Sequence, residues 1–275
     1  MTTSEIITTI FHEFQYALYG SILVGVICAF LGVYIVARRV VFLGAVLTQV
    51  SVLGIAITFL PLVEVSHTLG SLIITLALVV ILSRFLTGKK IPKDAVLGGV
   101  FVSAIAMRTL ILQKTPKVEV SEIESLLRGD ILFITPELFH LMSVVFALAL
   151  TLHLMFFKEF SYISCDAETA ATQGYNTSRW EIGFYFIAAA VISVATHMVG
   201  DMFVFGFLVI PATAAMLLAQ KVKTVFVVSV LIGALAPLLG LFIAFKYDFP
   251  SSPAIVAVAA TILLLAQIVR RVRGK

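Results

Sequence analysis

The stretch Phe14-Gln-Tyr-Ala-Leu-Tyr-Gly-Ser-Ile-Leu-Val-Gly-Val-Ile-Cys-Ala-Phe-Leu-Gly-Val-Tyr-Ile-Val-Ala37 carries no formal charge and stops abruptly at Arg38-Arg39. Wound as an α-helix, with its rise of about 1.5 Å per residue, it is long enough to cross the roughly 30 Å of hydrocarbon in a bilayer. Residues 225 to 245 and 249 to 269 are two further charge-free runs of comparable length. Over the whole chain 61% of residues are hydrophobic and only 12% are charged, against roughly 25% charged in an ordinary soluble domain. A water-soluble globule is excluded. The tracts are continuously apolar, without the residue-by-residue alternation of a barrel strand, so the class is all-α integral membrane protein.

Uncharged stretches and their polar breaks place candidate spans near 15 to 37, 42 to 61, 68 to 86, 95 to 113, 137 to 157, 182 to 200, 203 to 220, 225 to 245 and 253 to 269. The expected architecture is a polytopic bundle of 8 to 9 transmembrane helices. The lower number applies if the short Val199-Gly200-Asp201 connection is a break within the membrane rather than a turn outside it. No soluble domain fits between the spans, so residues 1–275 read as a single transmembrane domain. No Lys or Arg precedes Arg38, and the first apolar run exceeds the h-region of a cleaved signal, so it is expected to be a retained span.

The charges set an orientation. With the N-terminus outside, the inner segments hold Arg38, Arg39, Arg84, Lys89, Lys90, Lys93, Lys158, Arg179, Lys221, Lys223, Arg270, Arg271, Arg273 and Lys275, which is 14 of the 19 basic residues. The outer segments hold Arg108, Lys114, Lys117, Arg128 and Lys246, together with acids such as Glu64, Glu119, Glu122, Glu124 and Asp248. Cytoplasmic loops are enriched in Lys and Arg, so the expectation is N-terminus out and C-terminus in. The same bias accounts for the net charge of +4, and no nucleic-acid partner is expected. Cys28 and Cys165 lack metal-site spacing and are expected to be unpaired.

No G-x-x-x-x-G-K-[ST] loop, H-E-x-x-H or G-x-S-x-G is present, and the five histidines (His12, His67, His140, His153, His197) are scattered. No catalytic constellation is assembled, so the chain is not expected to be an enzyme. If transport is driven by ATP, the motor is a separate polypeptide. The loop from 158 to 181 is the most informative inner segment. Asp166 can act as an N-cap, Ala167 to Gln173 as a short helix and Gly174 as its stop. Such an element is either a surface connector or a knob that docks on a cytoplasmic partner and carries its motion into the spans.

Six segments, in order, resemble the ABC-3 family, the membrane subunits of bacterial metal-ion importers for zinc, manganese or iron. They are Gly32-Val-Tyr-Ile-Val-Ala-Arg-Arg-Val-Val-Phe-Leu-Gly44, Asp94-Ala-Val-Leu-Gly98, Gly129-Asp130-Ile-Leu, the loop Asp166-x-Glu168-x-Ala170-x-x-x-Gly174, Leu208-Val-Ile-Pro211-Ala-Thr-Ala214 and Pro250-Ser-Ser-Pro253-Ala-Ile. The resemblance covers nearly the whole chain. It implies the ABC-3 type permease fold and a homodimeric pore in the bacterial cytoplasmic membrane. It also implies an ABC ATPase docked on the 158–181 coupling loop through Asp166, Glu168, Ala170 and Gly174, and an extracytoplasmic metal-binding protein as donor. The chain would bind no cofactor of its own, and its cargo would be a divalent metal.

One departure bears on the cargo. After Phe-Leu-Gly the family pattern continues Asp-Ala-Leu-Ser-His, whose acid and imidazole are the implied cation contacts. Here the stretch is Ala45-Val46-Leu47-Thr48-Gln49. Ala45, Thr48 and Gln49 therefore occupy the translocation-path positions without the ligands expected there, and a neutral amide is a poorer ligand for a divalent cation than carboxylate or imidazole.

The chain's own metal candidates are His197 and Asp201, which share a face if their helix is continuous. An ionisable residue within a span is a candidate for function, and carboxylate plus imidazole suits zinc or manganese. The alternative is that Asp201 is wetted at the outer end of its span or paired with Arg108. Arg108 itself can snorkel to the outer interface. Thr48, Gln49 and Ser51 either join helices by hydrogen bonds or line the pore, and Pro211 should kink its span. The competing class is an ion-coupled secondary transporter that uses His197 and Asp201 as a relay. Inverted repeats, common in such folds, are not visible.

Overall fold

The computed structural model describes residues 3–60, 65–86, 92–114 and 131–272. All regular structure among the described residues is helical. A short α1 (Thr3–His12) leads into α2 (Gln15–Ala37), α3 (Val41–Thr58), α4 (His67–Leu86) and α5 (Lys93–Leu112). A 3-10 turn at Ile131–Phe133 precedes α6 (Pro136–Met155), and two short helices follow, α7 (Phe157–Cys165) and α8 (Ala167–Thr172). The chain ends with α9 (Thr177–Val199), α10 (Asp201–Leu218), α11 (Val222–Tyr247) and α12 (Ser251–Val272). Eight of these helices are long and apolar enough to cross a membrane, and α4 adds a further apolar run over His67–Ser83. The expected 8 to 9 spans are met.

The helices differ in how far they are enclosed. The most apolar windows of α2 and α3 are 72% and 78% buried, whereas those of α5 and α6 are 11% and 22% buried. The first pair forms the centre, and the second turns most of its surface outward. Close backbone approach, the usual device for joining helices in lipid, fixes the centre at two glycines. A Cβ at Gly25 would stand 2.2 Å from the carbonyl oxygen of Gly233, so α2 crosses α11 backbone on backbone. A Cβ at Gly32 would stand 2.2 Å from the carbonyl oxygen of Leu208, which seats α2 on α10 in the same way. Ser229 reinforces the first crossing by donating its hydroxyl to Ala29 O at 2.8 Å.

The stretch from 182 to 220 is divided, in line with the two candidate spans 182 to 200 and 203 to 220. Gly200 adopts φ 82° and ψ 164°, a region open essentially to glycine alone, and this single residue separates α9 from α10. Both pieces are long enough to count as spans. Pro211 lies inside α10, which is assigned as one continuous helix. A difference from the sequence reading concerns residues 157 to 165, read as span end and loop. They form α7, whose Phe160, Ile163 and Ser164 face inward. The signal was a short amphipathic period in a stretch too polar to read as a span.

Helix ends gather into two groups. At one end Arg38 Nε donates to Ser164 Oγ at 2.8 Å, and its guanidinium lies 4.3 Å over the Phe184 ring. The end of α2, α7 and the first turns of α9 thus meet there. At the other end Phe14 packs on Phe245 and Tyr16 on Phe139. Cys28 is buried and Cys165 exposed, and both are unpaired, as expected. Glu64, Lys89, Lys90, Lys117, Glu119, Glu122, Glu124, Arg128, the Gly129-Asp130 pair, Arg273 and Lys275 lie outside the described residues.

Candidate translocation path and coupling helix

On α3, residues 45, 48 and 49 are spaced to share one helical face. Ala45 is buried and brings no donor atom. Thr48 is also buried, and its hydroxyl donates back to Ala45 O at 2.9 Å, within its own helix. Gln49 reaches outward from α3. Its Nε2 donates to Asp201 Oδ2 at 2.7 Å, and its Oε1 accepts from Arg108 Nη1 at 3.0 Å. A carboxylate can only accept and a guanidinium can only donate, so the two neighbours fix the orientation of the amide. Arg108 is thereby joined to Asp201 through Gln49, across α5, α3 and α10. This gives Arg108 a role that interfacial snorkelling does not supply. Its Nε is buried without a hydrogen-bond partner.

His197 is held by a different partner. It lies in the last turn of α9, and its Nδ1 shares a 2.9 Å hydrogen bond with Thr68 Oγ1 of α4. Asp201 opens α10 beyond the Gly200 break, so the continuous helix that would align the two residues is absent. Among the described residues no cluster of three or more His, Cys, Asp or Glu side chains could hold a metal ion. His67 stacks on Phe59 and hydrogen-bonds Thr58, His12 and His140 are exposed, and His153 is fully buried against Phe160.

Ser51 belongs to a chain of hydroxyls. Its Oγ lies 2.7 Å from Ser71 Oγ, which lies 2.8 Å from Ser193 Oγ. Hydrogen bonding between helices therefore describes Ser51, whereas Gln49 both joins helices and stands at the implied path. Sequence reading missed Thr68, Ser71 and Ser193. Uncharged hydroxyls are common in apolar helices, and nothing local distinguishes these.

The second element is α8. Asp166 caps it: Oδ1 accepts from the Thr169 amide at 3.0 Å and Oδ2 from the Thr169 hydroxyl at 2.6 Å. These two bonds hold its carboxyl below the usual carboxylate range. The helix ends at Thr172, one residue before the expected Gln173, and Gly174 follows at φ +90°. Asp166, Glu168 and Gly174 are exposed, while Ala170 is fully buried and anchors the helix. Beside it lies a groove lined by Lys158, Tyr162, Gln173, Tyr175 and Lys223.

Residues 11–270 match the model of the ABC 3 transport family. The chain belongs to the ABC-3 family. Two relatives align over nearly their whole lengths. One is the "Probable iron transport system membrane protein" of Haemophilus influenzae, 27% identical over 257 residues, covering 92% of this chain and 90% of the relative. The other is "Manganese import system permease protein ScaB" of Streptococcus gordonii, 25% identical over 256 residues, covering 93% and 91%. The solved structure "PsaBC from Streptococcus pneumoniae in complex with Fab" shares the fold, with a TM-score of 0.84 at 24% identity over 96% of this chain and 95% of that one. Like other ABC-3 chains, this one is a multi-pass helical membrane protein.

Proposed function

We propose that this chain is the membrane permease subunit of an ABC importer for a transition-metal ion (manganese, zinc or iron), and that a separate cytoplasmic ATPase supplies the energy. The observation that carries the reading is α8. It is a capped helix that exposes Asp166 and Glu168 beside a largely apolar groove edged by Lys158 and Lys223, in a sequence with no nucleotide-binding loop of its own. Rigid-body motion of a docked ATPase would enter the spans through α7 and the Arg38–Ser164 bond. The relatives named for iron and manganese support a metal cargo. The proposal includes a homodimeric pore, an extracytoplasmic binding protein as donor and insertion in the cytoplasmic membrane with the N-terminus out and the C-terminus in. On this reading the chain alone hydrolyses no ATP. The relay of a secondary transporter finds less support, because His197 and Asp201 have separate partners on separate helices.

The test is reconstitution of the chain with an ABC ATPase and a metal-binding protein from the same organism. ATP-dependent metal uptake is expected, and Glu168→Lys or Ala170→Trp should abolish the coupling while the chain still folds. Uptake by the chain alone in vesicles without ATP would overturn the proposal.

A further inference from the structure

The Arg108–Gln49–Asp201 chain bears on the form in which metal passes. At these positions the donor atoms a bare cation would need are too few. Ala45 offers none, the Thr48 hydroxyl is turned to its own backbone, the carbonyl oxygen of Gln49 accepts from Arg108, and His197, whose Nδ1 bonds Thr68, has its Nε2 alone to offer. Asp201 remains, with one oxygen bonded to the Gln49 amide. One carboxylate and one imidazole nitrogen, on helices separated at Gly200, fall short of the four to six ligands that transition-metal ions usually collect, and among the described residues no third His, Cys, Asp or Glu joins them.

The charge points the same way. Arg108 brings a guanidinium, a cation with five N–H donors and no acceptor. Joined through Gln49 to Asp201, it leaves the group with no net charge and repels a dication approaching the carboxylate. Only one of its five N–H donors is accounted for by the Gln49 bond, and Nε is buried with no partner. A guanidinium with spare donors in a low-dielectric setting suits carboxylate oxygens, which it can grip in pairs. A chelate that carries its own carboxylates brings both what the site lacks, a filled coordination shell, and what Arg108 attracts, negative charge.

We infer that Arg108 makes this path selective for metal carried as an anionic carboxylate chelate over the bare divalent ion. The inference rests on the permease reading above. The test uses the reconstituted transporter, offered manganese, zinc or iron either as the free ion or as its citrate complex. The quantity read is the ratio of the two ATP-dependent uptake rates within each protein, which does not depend on how much protein folds. Wild type should favour the citrate complex by about tenfold or more, Arg108→Lys should keep part of that preference, and Arg108→Gln should lose it. Adding Ala45→Asp and Gln49→His to Arg108→Gln should turn the preference to the free ion. Equal or faster uptake of free ion by wild type, or an unchanged ratio in Arg108→Gln, overturns the inference and leaves the permease reading standing. ATP-independent or absent uptake of both forms overturns the permease reading itself.

Discussion

At the scale of single residues, Gln49 decides how the interior charges are arranged. Its amide satisfies a carboxylate on one side and a guanidinium on the other, and hydrogen bonds to charged groups contribute about 1.5–3 kcal/mol each. Gln49→Leu keeps the apolar bulk and removes both bonds, leaving Asp201 and Arg108 unlinked. We expect a loss of stability of that order, read as a lower thermal midpoint of the detergent-purified protein, whereas Gln49→Glu should retain the contact to Arg108 and strain the one to Asp201. The three members were individually legible. Gln49 stood at a family ligand position, and Arg108 and Asp201 stood out as charges within otherwise apolar stretches. Their union was not legible, because it joins residues 59 and 152 positions apart in the chain, and only the packing of three helices brings them together.

Among elements, the break at Gly200 and the cap at Asp166 show which local features a sequence declares. A left-handed φ at Gly200 stops α9 and lets α10 begin one residue later. The short connection was visible, but whether it was a turn between two spans depended on the conformation of that one glycine. Gly200→Ala would put a Cβ on a backbone conformation that costs about 1–3 kcal/mol for other residues. The expected outcome is a destabilised chain with Asp201 displaced from Gln49, seen together as a lower thermal midpoint and slower uptake. The capped helix at Asp166 was readable almost to the residue, since capping is a contact between near neighbours. By contrast α7 was missed, because its inward face is only two turns long. The depressed carboxyl of Asp166 also fixes a pH response. The charged cap is fully favoured above the ordinary carboxylate value of about 3.9 and is lost only as pH falls through the lower, folded value. Binding of the ATPase, measured on the purified complex, should therefore be insensitive to Asp166 protonation from neutrality down to about pH 4. Weakening centred near pH 6 would show that another group governs docking.

For the whole molecule, the distribution of charge sets an expected orientation, and packing sets the layers. Apolar tracts identified the spans because a lipid-embedded helix must be apolar along its length. They could not tell the enclosed α2 and α3 from the outward-facing α5 and α6, since lipid and protein interior select the same residue types. Orientation is testable with the chain's own thiols. Cys165 is exposed at the end that carries α8, and Cys28 is buried within α2, so the two act as reporter and internal control. If the N-terminus is outside, Cys165 faces the cytoplasm. A membrane-impermeant maleimide should then leave intact cells unlabelled, label Cys165 in inverted vesicles, and react with Cys28 in neither. A cysteine introduced as Asp248→Cys, at the exposed end of α11 where Phe14 meets Phe245, should show the reverse accessibility. Labelling of Cys165 from outside would invert the chain and place α8 beyond the reach of any cytoplasmic ATPase, so orientation and coupling stand or fall in the same measurement.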